Sequence, residues 1–466
     1  MSSAYPYATT HDVLRGMPSE GRSRTSILQE LEGFAKAEDQ SWESGKVSGT
    51  MYCGDHEHYE FLGRAFELFA HVNALQRDIC PSMTKFEGEI IAMTLDMLHG
   101  EAASETGHEP VGLVTSGGSG SILHAVLSYR EYAAQQRGIT RPNFVKPETA
   151  HPAFDKACHL LAVECRRVPI DPKTTLADVD AMANAIDENT IAMVGSACNY
   201  GYGTIDPIEQ LGELALARGI GLHVDGCLGG FILPWGQELG YPNIPLFDFR
   251  VPGVTTISAD THKYGYGFKG TSVLSFRDKA LRNAQYFFMT DWTGGKYASP
   301  GIEGSRSGGM LAATWASMVS FGREGYKGYA RKIFDTAEAM KESVRSHPEL
   351  YILGAPTFCF SFSSDEFDIY HVNDAMRQKG WRFNGQQYPN AIHMAVTRPQ
   401  TQEGVAEAFA TDLADAVQYA HDHRGEKPMS AAIYGGVEGG MTDEADEFIR
   451  SVMEDMMDKH QGLPRP

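Results

Sequence analysis

Apolar side chains recur at helical spacing over residues 59–75, where Phe61, Leu62, Ala65, Phe66, Leu68 and Phe69 share a face. The pattern predicts an amphipathic helix there, and a second over 86–98 with Ile90, Ile91, Met93 and Met97 turned inward. Ahead of them, residues 1–50 are polar with one weakly helical patch at 26–37, which predicts an arm packed on a second subunit. From residue 112 the period changes. Short apolar runs at 112–115, 143–145, 164–169, 191–197 and 221–224 alternate with helical stretches at 122–132, 154–161, 176–185 and 208–217. That alternation predicts a largely parallel sheet with helices on both faces, closed by a strand–loop–strand unit spanning 254–276. A long helix over 311–343 leads out of this unit. The remainder of the chain reads as a smaller α+β unit, with strands at 357–363 and 391–396 and helices at 369–379 and 405–421. An acidic amphipathic helix at 441–460 should show one solvated face and one packed stripe. The expected division is an N-terminal arm (1–58), a large domain (59–330) and a small C-terminal domain (331–466).

At 466 residues, with 42% hydrophobic and 21% charged residues, the chain is a globular one with a large core. A formal charge of −20 argues against nucleic acid or an anionic membrane surface as partner. The seven cysteines are scattered with no Cys-x-x-Cys pair, as expected of reduced thiols in a cytoplasmic protein. No basic-then-apolar leader and no run of 18 apolar residues occurs, so a soluble protein without a transmembrane segment is expected.

The loop inside the 254–276 unit carries Lys263 beside His262. A lysine buried at a strand end loses hydration, its pKa falls, and its amine can attack a carbonyl to form a Schiff base. Upstream, Gly117-Gly118-Ser119-Gly120-Ser121 joins a predicted strand to a helix, where free N–H groups and the helix dipole suit a phosphate. The spacing is not the dinucleotide-binding Gly-x-Gly-x-x-Gly, and the glycines at 265–270 are not a Walker A loop because no lysine follows Gly270. Asp225, in His223-Val-Asp-Gly-Cys-Leu-Gly-Gly-Phe, stands at the C-terminal end of a predicted buried strand, the edge where open α/β sheets bind ligands. A buried carboxylate needs a cationic or hydrogen-bonding partner, and a protonated pyridine nitrogen would supply one. His151 follows another strand end, where a neutral imidazole can stack on a flat ring. Phosphate cradle, histidine, aspartate and lysine together meet the needs of pyridoxal 5'-phosphate, with Lys263 as its anchor and Asp225 keeping its ring nitrogen protonated. The pairs His56/His58 and His421/His423 lack a ligand set at zinc spacing, so no metal site is expected.

These motifs, with Gly45-Lys-Val-Ser-Gly-Thr-Met-Tyr52, Ala153-Phe-Asp-Lys-Ala, Ser258-Ala-Asp-Thr-His-Lys263-Tyr-Gly-Tyr, Lys269-Gly, Gly304-Ser-Arg and Ala431-Ala-Ile-Tyr434-Gly, carry a resemblance over residues 40–440. The chain is similar to pyridoxal-phosphate enzymes of aminotransferase fold type I, in the group II decarboxylase branch, and within it to the sphingosine-1-phosphate lyase family. The resemblance implies an α/β large domain with a mostly parallel seven-stranded sheet and a smaller C-terminal α+β domain. It implies Lys263 as the Schiff-base lysine, Asp225 on the pyridinium and His151 stacked on the ring. Gly118, Ser119 and His262 would hold the cofactor phosphate, with Asn199 near the ring. Ser305 would reach the cofactor phosphate of the other subunit in a homodimer with shared active sites. Tyr52, Lys269 and Tyr434 would surround the substrate's own phosphate and its C3 hydroxyl.

Two departures stand out. The family's Asn-Pro-Leu-His-Pro-Asp reads Asn73-Ala-Leu-Gln-Arg-Asp78, so Gln76 replaces a histidine of the substrate pocket. Glutamine can hydrogen-bond a phosphate but does not titrate near neutrality. The family's Gly-Gly-Thr-Glu-Ser reads Gly117-Gly-Ser-Gly-Ser121, which keeps a hydroxyl and loses an acid. The membrane anchor of eukaryotic members has no counterpart, as in the soluble bacterial ones. The implied reaction is retro-aldol cleavage of a phosphorylated, sphingoid-like amino alcohol to an aldehyde and phosphoethanolamine. The alternative is an amino-acid decarboxylase, or a lyase acting on a smaller phosphorylated or phosphonate amino compound, with the same cofactor residues.

Overall fold

Seven short strands form the central sheet of the computed structural model, which describes residues 5–437 and 441–464, the side chains of Ala432 and Ile433 excepted. They are β1 (Val111–Thr115), β2 (Asn143–Pro147), β3 (Glu164–Val168), β4 (Thr190–Ser196), β5 (Gly221–Gly226), β6 (Thr256–Ala259) and β7 (Ser272–Phe276). Their order is β1-β7-β6-β5-β4-β2-β3. β7 is the reversed strand, pairing antiparallel with both β1 and β6. β2, β4, β6 and β7 are buried at every position, and β5 at all but its first. They therefore read in sequence as continuous apolar or small-residue runs rather than as alternation. The edge strand β3 instead carries Glu164, Arg166 and Arg167, charges that discourage a further strand from pairing there.

The sheet matters to function through register. Ser196 lies opposite Asp225, and Asp225 opposite Ser258, so the C-terminal ends of β4, β5 and β6 reach the same level. The helix Gly118–Arg137 starts three residues after β1 ends, which brings the glycine-rich turn to that same edge.

The predicted helix at 59–75 is shorter than its pattern. It runs His56–Phe69, and the next residues are captured by tertiary bonds: Asn73 bridges Ser307, and the Ala74 N–H donates to the Arg306 carbonyl at 2.9 Å. Buried Glu87, from the helix Ser82–Met97, fastens the region. It accepts from Arg306 at 2.7 and 3.0 Å, from Arg77, and from the Val114 N–H at 3.2 Å. The long helix Gly308–Arg345 breaks at Gly322, whose φ of 55° is one that residues with a Cβ avoid.

Sequence pattern does not reveal the hairpin of β8 (Phe287–Met289) and β9 (Tyr297–Ser299), because its side chains are largely outward-facing and no burial period marks it. The second sheet comprises β10 (Tyr351–Ile352), β11 (Cys359–Ser363), β12 (Asn384–Gln386) and β13 (Ala391–Ala395), in the order β10-β11-β13-β12, all antiparallel. Helices Tyr370–Gln378 and Val405–Asp422 accompany it.

Two expectations need correction. The end of the N-terminal arm packs on its own chain: Gln400 donates to the Gly45 and Val47 carbonyls, and the Gly49 N–H donates to the Ala395 carbonyl. The helix Arg24–Glu43 ahead of it buries only Trp42. The acidic helix Asp443–His460 buries no residue, so the expected packed stripe is exposed, with Phe448, Val452, Met453 and Met456 at the surface. Among the described residues no helix is long and apolar enough to cross a membrane.

Candidate active site

A cavity of about 360 Å³ opens at the C-terminal edge of the central sheet, lined by Gly118, Ser119, His151, Asp225, Cys227, Asp260, His262 and Lys263 among others. Six of the predicted site residues therefore meet in one place, contributed by the end of β5, the loop after β6, the turn after β1 and the loop after β2. This is the ligand edge of an open α/β sheet.

The helix that starts at Gly118 has no side-chain cap at its N-terminus, so its first N–H groups lack an intrahelical or capping partner. Gly118 is required for closeness. A Cβ there would lie 2.7 Å from Asp260 Oδ2 and 3.1 Å from Cys227 Sγ. Beneath the turn, Thr115, Ser121 and Ser272 form a hydroxyl chain with spacings of 2.7 and 2.8 Å that fixes helix to sheet.

Asp225 is buried, and its Oδ1 accepts from the Cys227 N–H at 3.0 Å and from Ser258 at 3.4 Å. Among the described residues no donor engages Oδ2. Behind it, His223 is tied to Thr256 and Ser258 at 2.8 and 3.1 Å, and burial pushes its pKa down to about 4 despite the Asp225 charge. The imidazole is thus neutral near pH 7 and offers Asp225 no counter-charge.

Lys263 departs from expectation. Burial does work to lower its pKa, but Asp260 Oδ2 stands 2.9 Å from its Nζ and outweighs it. The net result holds the ammonium well above the ordinary lysine range. Desolvation is foreseeable from sequence; the counter-ion three residues earlier is not. Asp260 is almost fully buried, and its Oδ1 has no partner among the described residues. His262 donates from Nδ1 to the Thr271 carbonyl at 2.6 Å, which leaves Nε2 toward Asp260 at 3.6 Å. Burial lowers the His262 pKa, with Asp260 opposing. His151 is exposed at the rim, and its Nδ1 accepts from the Ala153 N–H at 3.1 Å.

A second cavity, of about 290 Å³, adjoins the first through His262 and is lined by Trp42, Tyr52, Tyr59, Phe268 and Lys269. Lys269 Nζ sits 4.4 Å from the centre of the Tyr52 ring and donates to the Thr50 carbonyl at 2.9 Å. Desolvation of its amine and the nearby Lys263 charge bring its pKa down to about 8, against a weaker pull from Asp260. Burial pushes the Tyr52 phenol up to about 12, with Lys263 opposing.

Four predicted residues lie elsewhere. Asn199 lines neither cavity; its amide donates to Thr204 at 2.8 Å and its oxygen accepts from the Tyr202 N–H at 2.9 Å, so it shapes its own turn. Tyr434 packs on Tyr370 and beside Gly385. Gln76 is exposed, and Ser305 accepts from Asn73 at 2.9 Å, so both sit on the 73–80/303–307 surface. The histidine pairs diverge: His58 is buried against the Tyr266 carbonyl, while His56 meets Glu43 at 2.9 Å. Asp39, Glu43 and His56 bring ligand atoms within 4.8 Å of one another at a largely exposed position, the sort of cluster that is common without an ion.

The residues fit pyridoxal 5'-phosphate. An uncapped helix N-terminus matches its phosphate, an unengaged strand-end carboxylate oxygen its ring nitrogen, and a cavity-facing lysine its aldehyde. Comparison with known proteins points the same way. Residues 12–362 match the pyridoxal-dependent decarboxylase conserved domain. Sphingosine-1-phosphate lyase of Dictyostelium discoideum is 40% identical over 446 residues, covering 95% of this chain and 81% of that protein. The Rattus norvegicus enzyme is 40% identical over 98% of this chain and 80% of its own length. The solved structure of sphingosine-1-phosphate lyase from Burkholderia pseudomallei matches with 59% identity and a TM-score of 0.89, over 90% of this chain and 96% of that one. Glutamate decarboxylase of Lactobacillus brevis, at 21% identity and a TM-score of 0.73 over 89% of this chain and 96% of its own, shares the fold.

Proposed function

The chain belongs to the pyridoxal-dependent decarboxylase family, with sphingosine-1-phosphate lyases as relatives, and from that premise we propose that it cleaves a phosphorylated sphingoid amino alcohol. The products are a long-chain aldehyde and phosphoethanolamine. The observation that carries this reading is the meeting of Lys263, Asp225 and the uncapped Gly118 turn in one cavity, with a low-pKa lysine in the cavity next door. Its test is to identify both products by mass spectrometry.

Lys263 would hold the cofactor through its Nζ, Gly118, Ser119 and His262 its phosphate, Asp225 its ring nitrogen and His151 its ring face. Bound there, pyridoxal 5'-phosphate supplies an electron sink for the charge left when a bond at the amine-bearing carbon breaks. With Nδ1 already donating to Thr271, His262 can donate to a phosphate only when protonated at Nε2. The phosphate dianion favours that form.

Cleavage between the amine-bearing carbon and C3 needs a base for the C3 hydroxyl. Tyr52, held up to about 12, remains a phenol near neutrality and serves as a hydrogen-bond donor. Lys269, at about 8, is the neighbouring group that exists partly as a free amine there, and we assign it the proton. The amine fraction grows as pH rises through about 8, so kcat/KM rises with pH and levels off above that value. Lys269→Arg stays protonated, so it should lose the rising limb and about 10²–10⁴-fold in rate. A flat or falling profile would instead make Lys269 a clamp for the substrate phosphate. A decarboxylase would keep Lys263 and Asp225 but has no use for a base at this position.

Two copies are proposed to pair in solution, so that Ser305 and Gln76, which line neither cavity of their own chain, serve the partner's. In support, Phe287, Phe288, Trp292 and Tyr297 stand exposed on the β8–β9 hairpin, together with Leu75 and Ile79 beside Gln76. Clustered apolar exposure of this kind marks an interface. Sedimentation should give the mass of two chains, and a monomer with full activity would refute the pairing. A cytoplasmic site of action is part of the same proposal, in keeping with seven unpaired cysteines.

A further inference from the structure

On the edge of the central sheet opposite Lys263 lies a cavity of about 440 Å³, between the helix Gly118–Arg137, the start of β5 and the end of β7. Gly221 begins β5 and Asp225 lies near its other end, so roughly 13 Å of strand separates the two sites at about 3.3 Å per residue. The walls are largely apolar, with Tyr132, Ile191, Ile220 and Leu281, and the volume is that of a small-molecule pocket. Two arginines, Arg137 and Arg277, are among the residues that line it.

Among the described residues neither has a carboxylate. Arg277 is 4% exposed, yet its bonds go only to main-chain carbonyls: Nε to Val254 at 2.5 Å, and Nη2 to Phe249 and Val251, both at 2.8 Å. Its Nη1 has no partner among them. The Phe249 ring, 5.4 Å away, is the remaining contact of its charge. Burial lowers its pKa and no acid opposes that. Arg137 likewise donates only to the Thr190 and Glu188 carbonyls, each at 3.1 Å. One acid lines the cavity, Asp278, but it is already engaged. Its oxygens accept from the Ala280 and Glu109 N–H groups at 2.8 and 3.3 Å, and His108 Nδ1 is 3.4 Å away. Buried charges are ordinarily paired, and a nearly enclosed guanidinium without a counter-ion is an exception that calls for an anion.

We propose that this cavity is a second ligand site, separate from the active site, which binds an oxyanion carried on an apolar body, the anion resting between Arg137 and Arg277. A carboxylate or a phosphate monoester satisfies that chemistry, because both match the guanidinium fork. The apolar walls take the rest of the molecule.

The test uses the cofactor-loaded enzyme and calorimetric titration with octanoate, monooctyl phosphate and octan-1-ol. At least one anion should bind the cavity at one site per chain and at least about tenfold more tightly than the alcohol, one bidentate charged contact being of that size or larger. Octanoate alone would identify free carboxylates as the ligand class, the phosphate alone would identify phosphate esters, and both would mean oxyanions in general. Arg137→Ala should weaken the binding several-fold, and Arg277→Met more so, while Lys269→Ala, at the active site, should leave it unchanged. Arg277 also ties three loop carbonyls, so the surface variant Arg137→Ala isolates the anion contact from folding. Binding of the alcohol as tight as that of the anions, affinity that survives both arginine changes, affinity lost with Lys269→Ala, or no binding at millimolar concentration would overturn the proposal.

Discussion

Lys263→Ala should abolish turnover, lowering kcat by about 10³-fold or more, a loss larger than that of a single acid–base group within the site. The reason lies in its place: among the residues lining the cavity at the sheet edge, Lys263 alone carries an amine, and it shares that space with the Gly118 turn and the Asp225 end of β5. Its companion Asp260 makes a second test available. While the 2.9 Å ion pair is intact, the amine is held protonated and would not be free to hold the cofactor. Loading of cofactor-free enzyme, followed by the visible absorbance of the bound cofactor, should therefore speed up with pH, because deprotonation of Nζ is the requirement. In Lys263→Ala that absorbance should not develop at any pH, although the phosphate cradle is untouched. Full absorbance and turnover in the alanine variant would remove Lys263 from the chemistry.

Asp225→Asn should retain the fold and bind the cofactor more weakly, with kcat lowered by about 10²–10³-fold, as when one preorganised electrostatic contact is lost. Oδ1 contacts at Cys227 and Ser258 can be kept by an amide oxygen, so local structure survives the change. What disappears is the negative charge at the strand end. His223 cannot compensate, since burial keeps that imidazole neutral with a pKa of about 4. Near-normal kcat in Asp225→Asn would mean that the carboxylate does no electrostatic work on the ring nitrogen.

The central sheet is legible in the sequence because its inner strands are buried on both faces and separated by helices, so apolar runs and helical periods alternate without ambiguity. The same logic finds the Gly118 turn, Asp225 and Lys263, since each is attached to the end of such a strand. Pattern cannot supply the partner of each group. Asp260 sits three residues from Lys263 in plain view, but only the fold puts its carboxylate, and not water, against the amine. The same holds for Asn199: the resemblance implies a place near the ring, and only the fold shows that its turn uses both ends of the amide. The residues after Phe69 continue a helical pattern that tertiary bonds to Arg306 and Ser307 override. The β8–β9 hairpin leaves its apolar side chains in solvent, so burial, the usual origin of a readable period, is missing there, whereas the helix Asp443–His460 keeps a readable period although its apolar stripe stays exposed. Gln76 and Ser305 are exposed and line neither cavity, so no period or strand end in the sequence ties them to the site.

The most direct measurement of the proposed chemistry is incubation of the cofactor-loaded protein with sphingosine 1-phosphate, with products identified by mass spectrometry. Retro-aldol cleavage predicts hexadecenal and phosphoethanolamine in equal amounts, both absent with Lys263→Ala. Release of carbon dioxide from an amino acid, with sphingosine 1-phosphate untouched by a protein of normal cofactor absorbance, would contradict it.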